Sequence, residues 1–324
     1  MPLPTGPAVD FSQLPAKLRD YSLSDESQIL TRLLVDGMGF TDRMQLLLGN
    51  DEILLAELVL GNILQPGGKD GFNPTANALR WKARIGKVRD CKVDLQLTPT
   101  KIAQFYRTWL GNVAKSKPES PYDIPFQEFL MTKIVEKLKE NLRLLAAFKG
   151  VYKADGTDPQ DTMDGLLTLR AAALTSGEIA AANVVAGAPI VKANAVDQFE
   201  KVAEKVITHP AYSATKMIAL CSPAARYNYF RGYRTENQAL PYNDGFNKLY
   251  IDGSNIEIVA EPGMQGSNAI FITPETNLFF LADDTQRMDS IIIEYALRNI
   301  NIMIDFKCAV DFGIGDLIWT NDLA

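Results

Sequence analysis

The stretch INIMIDFKCAV, residues 300–310, decides the fold class, because every second residue in it is apolar and core-forming. The residues on that side are Ile300, Ile302, Ile304, Phe306, Cys308 and Val310. A period of two held over this length predicts a long antiparallel strand rather than a short buried parallel one. Ile291, Ile293, Tyr295 and Leu297 alternate in the same way, so a second strand is predicted directly before it.

The sequence IPFQEFLMTKIVEKLKENLRLLAAFKG, residues 124–150, predicts the longest helix. Asp123 suits the N-cap, Pro125 fits the first turn, and Lys149-Gly150 suits the end. One apolar stripe runs along it, formed by Phe126, Leu130, Ile134, Leu138, Leu142 and Leu145. Helices early and long antiparallel strands late indicate the α+β class.

Other segments give weaker predictions. Residues 1–24 contain four prolines and predict an extended arm, and short helices are predicted from Ser24, Thr41 and Asn50 to about residue 64. Alternation at 80–85 and 93–97 predicts two strands after a Gly- and Pro-rich loop at 65–79. The later predictions are helices at 100–111, 166–174, 196–207 and from Ser222-Pro223, a strand at 217–221 and a loop at 232–247.

These elements suggest a division of the chain into four regions. The expected regions are an N-terminal arm with short helices at 1–64, an extended β-loop at 65–118, a peripheral domain with the long helix at 119–174 and 286–311, and an axial domain at 175–285 and 312–324.

Composition excludes several functions. The net charge of −6 argues against a chain that grips a phosphate backbone as a whole, and a single histidine excludes a multi-histidine metal site. Cys91, Cys221 and Cys308 are far apart in sequence, which favours buried structural thiols over a redox pair. No apolar run is long enough for a membrane span, and no cofactor or nucleotide-binding motif is present.

A basic stripe is the main candidate site. It consists of Arg80, Lys82, Arg84, Lys87, Arg89 and Lys92, with Asp90 as the one acid among them. It could bind nucleic acid with Trp81 stacking on bases, protect an exposed strand edge, or contact an acidic surface on a second copy of the chain. The intersubunit contact is favoured, because ordering a long polar arm and loop costs free energy that neighbouring copies can offset. We therefore expect reversal of Arg84, Lys87 and Arg89 to glutamate to leave the protomer folded and to weaken assembly.

Four smaller features favour structural roles. His209, just past a predicted helix end, suits capping of carbonyl groups better than catalysis. The aspartates at 155, 158, 161 and 164 fit a solvated turn better than a calcium loop, and Asp283-Asp284 point in opposite directions on a strand end. Gly263–Gly266 reads as a turn rather than a phosphate cradle.

The order of these elements resembles the major capsid protein of tailed bacteriophages, which has the Hong Kong 97 fold. The segment RIGKVRDCKVDLQLTPTKI (84–102) is similar to the return strand of that family's extended loop, residues 124–150 resemble its spine helix, and residues 255–284 and 299–321 resemble its closing strands.

The resemblance implies a shell of hexamers and pentamers around double-stranded DNA, located in the virion capsid and assembled in the host cytoplasm. It implies residues 232–247 near the capsomer axis, and as partners a separate scaffolding protein, a portal and decoration proteins. It implies no catalytic residue and no cofactor. The alternatives are an encapsulin-type compartment shell, a single-stranded nucleic-acid-binding protein and an enzyme that uses carboxylates.

Overall fold

The computed structural model describes residues 40–49, 51–60, 79–116, 126–238, 243–244, 248–283, 291–296 and 299–323. Its strands are β1 Gln45–Leu48, β2 Glu52–Leu60, β3 Leu79–Lys87, β4 Arg89–Leu97, β5 Val184–Val185, β6 Met217–Cys221, β7 Asn243–Asp244, β8 Lys248–Tyr250, β9 Glu257–Ala260, β10 Phe271–Pro274, β11 Leu278–Ala282, β12 Ile291–Ala296, β13 Asn299–Phe312 and β14 Trp319–Asn321. Its α-helices are α1 Pro99–Ser116, α2 Phe126–Asn141, α3 Leu166–Ser176, α4 Ala195–Ile207, α5 Ala211–Ala214 and α6 Pro223–Asn237.

The long strand predicted at 300–310 is confirmed as β13, the central strand of the first sheet. Antiparallel to it, β12 covers its first half and β11 its second half, while β4 runs along its other side. Strand β1 adds to the edge of β11 in parallel. The sheet is therefore mixed, where the sequence predicted antiparallel pairing.

The long helix packs its apolar stripe onto this sheet. Leu130 and Met131 lie with Ile300 and Ile302 in one buried cluster. Helix α2 continues as a π-helical turn over Leu142–Ala146. The wider turn shifts the phase of the stripe, so that Leu142 and Ala146 are buried but Leu145 is 41% exposed.

Leu145 was therefore wrongly predicted as part of the buried stripe. The predicted start of this helix, with Asp123 and Pro125, lies outside the described residues.

The second sheet has the strand order β5-β14-β10-β6-β9-β8-β7, with parallel pairing at β5/β14 and β6/β9. Helix α4 places Phe199, Val202 and Val206 in the core beneath it. Helix α6 begins, as predicted, after Ser222, whose hydroxyl accepts from the Ala225 N–H. The predicted loop at 232–247 is wrong for residues 232–237, which continue α6, and for residues 243–244, which form β7.

The helix predicted around Ile53, Leu54 and Leu58 is wrong, because these residues lie in β2. Seven of the nine β2 residues are apolar, a pattern that fits either element, and pairing with β3 selects the strand. The start predicted at Thr41 corresponds to a single 3-10 turn, Thr41–Arg43. The predicted arm at 1–24, the start at Ser24 and most of the loop at 65–79 lie outside the described residues, and the four-region division stays a prediction.

Candidate assembly interface

Strands β2 and β3 form a separate two-stranded ribbon. They pair antiparallel along their full lengths, from Glu52 opposite Lys87 to Leu60 opposite Leu79. After Lys87 a single residue, Val88, links β3 to β4, which pairs with β13 instead. The residues between 79 and 97 thus join two sheets, with Val88 at the junction.

Register divides the ribbon into two chemically different faces, since residues directly opposite each other share a face. The first, here called the apolar face, carries the pair Leu54/Ile85, with Glu52/Lys87 at the base. The second, here called the clamped face, carries Ile53/Gly86 and Leu55/Arg84.

At its base the ribbon packs on the first sheet through the clamped face. Leu55 and Val88 are buried together with Leu281 of β11 and Ala309 of β13. Gly86 lies where β3 passes over β11, and a Cβ built at Gly86 would be 2.5 Å from the Leu281 Cδ1. A larger residue at 86 would therefore require the Leu281 side chain to shift.

Arg84 clamps the ribbon to the body of the protein. Its Nε donates to the Asp311 Oδ1 at 2.9 Å, its Nη1 donates to the Glu178 carboxylate, and its guanidinium lies 3.9 Å from the centre of the Phe312 ring. The Asp311 side chain is only 5% exposed. One side chain of β3 thus contacts both Asp311, near the end of β13, and Glu178, two residues after the end of α3.

Burial raises the pKa of Asp311 to about 6, although the neighbouring Arg84 cation and the Phe312 N–H act in the opposite direction. Glu178, as a second carboxylate at the same guanidinium, adds to the rise. The clamp is therefore a partly buried charge cluster whose strength depends on the protonation of Asp311.

The structure separates the four predicted cations whose side chains it describes. Arg84 is held within its own chain, and the Arg89 guanidinium lies 3.8 Å from the centre of the Tyr152 ring. Lys92 is exposed on β4 and pairs with Asp94 at 3.1 Å. Lys87 is exposed on the apolar face, and among the described residues its side chain has no hydrogen-bond or ion-pair partner.

The side chains of Arg80 and Lys82 lie outside the part of the chain that the structure describes, and Arg84 and Lys87 lie on opposite faces of the ribbon. The stripe is therefore not one continuous surface, and its role in intersubunit contact stays a prediction for the cations that are not held internally.

The expected orientation of the ribbon base is also reversed. Alternation suggested that Ile85 packs inward and Arg84 faces solvent, but Arg84 is the side chain that packs. Leu54 is 63% exposed and Ile85 is 52% exposed. The apolar face at the base is thus open in the isolated protomer, and sequence periodicity indicated the wrong face as the covered one.

A second charged cluster was missed by sequence reasoning. Arg43 contacts the buried Glu257 at 2.7 Å, Lys216 contacts Glu275 at 3.0 Å, and Arg143 contacts Glu261 at 3.2 Å. Burial raises the pKa of Glu261, with Arg143 opposing the shift. The cluster joins the segment before β1 to the second sheet, and its partners are too distant in sequence to be recognised by spacing.

The smaller candidates have structural contacts. His209 accepts the Ala211 N–H through Nδ1 at 3.2 Å, so it caps an N–H and not the predicted carbonyl groups. Its ring packs against Trp319 at a centroid distance of 5.1 Å. Pro262–Met264 is a 3-10 turn, as expected. Asp284 lies outside the described residues.

The aspartate turn is less solvated than predicted. Asp161 is buried, and its Oδ1 accepts from the Lys153 Nζ at 2.8 Å. This hydrogen bond lowers the pKa of Asp161. Asp164 accepts the Tyr152 N–H at 3.0 Å. These two carboxylates thus stabilise the turn internally.

Within the described ranges, no group of three or more His, Cys, Asp or Glu side chains could hold a metal ion. Of the helices that the structure describes, none combines the length and the apolar character needed to cross a membrane.

Comparison with known proteins identifies the fold. No family model matches the chain, and neither does any curated protein. Among solved structures, a chain of the satellite phage P4 procapsid that includes the size determination protein is 14% identical, with a TM-score of 0.60 and coverage of 92% of this chain and 97% of that one. The cyanophage A-1(L) capsid is 11% identical, with a TM-score of 0.55 and coverage of 98% and 96%.

The holo-SrpI encapsulin complex of Synechococcus elongatus PCC 7942 is also similar, at 10% identity and a TM-score of 0.50, with coverage of 88% of this chain and 86% of that one. The mixed architecture of helices and several sheets thus agrees with these capsid structures, and the chain has the Hong Kong 97-like fold of phage major capsid proteins.

Proposed function

We propose that this chain is the shell-forming protein of a phage capsid, and that copies assemble as hexamers and pentamers into an icosahedral shell around double-stranded DNA. The observation that carries the proposal is the likeness in fold to the P4 procapsid chain over 97% of that chain's length. A match of this extent covers 92% of this chain, not a single shared motif.

The ribbon supports self-association on physical grounds. A two-stranded ribbon is marginally stable by itself in water. Its base is held by Arg84 and Leu55, but Leu54 and Ile85 remain exposed on the other face. Covering this apolar face with a neighbouring copy would remove apolar surface from water, which favours association.

The proposed role is structural and needs no cofactor. The described carboxylates with buried side chains lie in ion pairs or clamps, as with Glu257 and Asp311, which suits stability more than catalysis. A net charge of −6 suits a shell that encloses DNA without binding it tightly. We propose as partners a separate scaffolding protein, a portal and decoration proteins, with assembly in the host cytoplasm and the virion capsid as the final location.

An encapsulin-type compartment is the second candidate, favoured by the likeness to the SrpI encapsulin complex. Single-stranded nucleic-acid binding is less well supported, because Arg84 and Arg89 of the basic stripe are held within their own chain.

The testing experiment measures particle size by light scattering and negative-stain microscopy at physiological salt. Closed shells or capsomer-sized rings are expected. A protein that stays monomeric at high concentration, with and without the product of a neighbouring candidate scaffold gene, would contradict the proposal. Particles from the natural source are then treated with nuclease, since protected double-stranded DNA indicates a phage shell and enclosed protein indicates a compartment.

A further inference from the structure

Two of the three cysteines lie side by side next to the base of the ribbon. Cys91 of β4 and Cys308 of β13 have their sulfur atoms 3.9 Å apart, although 217 positions separate them in the chain. In the register of the two strands Cys91 is opposite Phe306 and Cys308 is opposite Arg89, so the thiols are diagonal neighbours. Cys91 is the third residue after Val88, which links the ribbon strand β3 to β4.

We propose that Cys91 and Cys308 form a reversible dithiol–disulfide site. In an oxidising medium its disulfide links β4, which follows the ribbon base, covalently to the central strand β13. The oxidant is a low-molecular-weight disulfide of the glutathione class. The inference goes beyond the proposed function, and only its consequence for a shell rests on that function.

The reaction is an ordinary thiol–disulfide exchange. The Cys91 thiolate attacks one sulfur of the oxidant, whose S–S bond breaks and releases one thiolate. The Cys308 thiolate then attacks the mixed disulfide at Cys91 and releases the second. Two electrons pass from the protein sulfurs to the oxidant, the two protons end on the released thiols, and one S–S bond joins β4 to β13.

The surroundings keep the two thiols reduced until β4 moves relative to β13. Both cysteines are buried. The hydrogen bond with Cys91 and burial both raise the pKa of Cys308, so the thiol is favoured over the reactive thiolate. The sulfurs must also approach from 3.9 Å to about 2.0 Å to bond. Oxidation therefore requires β4 to move transiently relative to β13, and the disulfide then prevents that movement.

Cys221 is a built-in control. It is buried too, and its thiol contacts the Val259 carbonyl oxygen at 3.7 Å rather than another sulfur. Burial raises its pKa to about 12. If burial alone set reactivity, Cys221 would behave like the other two.

The test exposes the full-length protein to glutathione disulfide, denatures it in the presence of an alkylating reagent and counts free thiols by mass. We expect one free thiol, at Cys221, and a linked peptide pair containing Cys91 and Cys308. The thermal midpoint should rise by about 5–10 °C and return on reduction. Cys308→Ser should show neither the linked pair nor the rise, whereas Cys221→Ser should show both.

Three free thiols after prolonged oxidation of the wild type would overturn the proposal, and so would a stable mixed disulfide at Cys91 or any bond to Cys221. Because the thiol count on the wild type is decisive by itself, the test does not depend on the serine variants folding.

Discussion

The Arg84 Nε and the Asp311 Oδ1 are 2.9 Å apart, and this contact joins the ribbon to the last residues of the central strand. The two residues belong to different sheets and are 227 positions apart. Asp311 lies in β13 directly before Phe312, and the same guanidinium packs over the Phe312 ring. Arg84 thus holds the ribbon base together with the packing of Leu55 and Val88 on the first sheet.

Replacing Arg84 with alanine should lower the free energy of unfolding by about 2–4 kcal/mol at neutral pH. The variant leaves the carboxylates of Asp311 and Glu178 without their shared cation, and Asp311 is buried. Urea unfolding measures the change, and Lys87→Ala is the matched control on the same strand. Lys87 is exposed, so its variant should stay within about 0.5 kcal/mol of the wild type; equal effects at both positions would contradict the clamp.

The clamp should also give a pH dependence of defined sign. The folded-state pKa of Asp311 is about 6, above the ordinary value of 3.8, because burial disfavours its charged form. The folded protein therefore binds this proton more tightly than the unfolded chain. The stability that Asp311 contributes is fully present below about pH 4 and is lost as the pH rises through about 6.

Asp311→Asn removes this titration while keeping the size of the side chain. Other carboxylates also titrate in this range, so the quantity to measure is the difference in unfolding free energy between wild type and variant. From pH 7 to pH 4.5 the difference should move in favour of the wild type by roughly 1–3 kcal/mol. The groups that face Asp311 are Arg84, Glu178 and the Phe312 N–H. A difference that is constant with pH would show that Asp311 titrates normally.

The π-helical turn gives two leucines of one predicted apolar stripe different exposures to solvent. Leu142 is 5% exposed and Leu145 is 41% exposed. Leu142→Ala should cost about 2–4 kcal/mol of unfolding free energy, because it leaves a cavity against the core. Leu145→Ala should cost less than about 1 kcal/mol, since its side chain is already partly in water. Similar losses at the two positions would argue for an unbroken α-helix.

These cases show what the sequence could and could not predict. Period-two alternation identified β13 and β12 because Ile300, Ile302 and Ile304 of β13 and Ile291 of β12 are buried. The resemblance of element order to phage capsid proteins agreed with the observed fold. Periodicity failed where a long-range partner decides the outcome. Strand β2 depends on pairing with β3, and the π turn changes the phase of a stripe whose residues otherwise suit a regular helix.

The candidate site was predicted only in part. The stretch of chain around residues 80–92 was identified from its charge, but charge does not show which face of a ribbon meets the body. Arg84 packs inward because Asp311 and Glu178 lie beneath it, and both are far away in sequence. The pairing of Cys91 with Cys308 was missed for the same reason, since strand register alone brings them together.

The two faces of the ribbon lead to a prediction about assembly. If the apolar face is the contact with a neighbouring copy, Ile85→Glu should raise the concentration needed for assembly about tenfold or more, because burying one such side chain is worth roughly 1.5–3 kcal/mol. The protomer should remain folded, since Ile85 is 52% exposed. Circular dichroism with urea unfolding checks the protomer, and light scattering against concentration measures assembly.

Lys87→Glu is the matched control, because Lys87 is also exposed, lies on the same face and is two residues away. An apolar contact predicts that this charge reversal has the smaller effect, and that assembly changes little between low salt and about 0.5 M salt, where charge attraction is screened. The combined reversal of Arg84, Lys87 and Arg89 does not separate these effects, because Arg84 also clamps the ribbon. If Lys87→Glu blocks assembly while Ile85→Glu does not, the contact is electrostatic and the basic stripe, not the apolar face, meets the neighbouring copy.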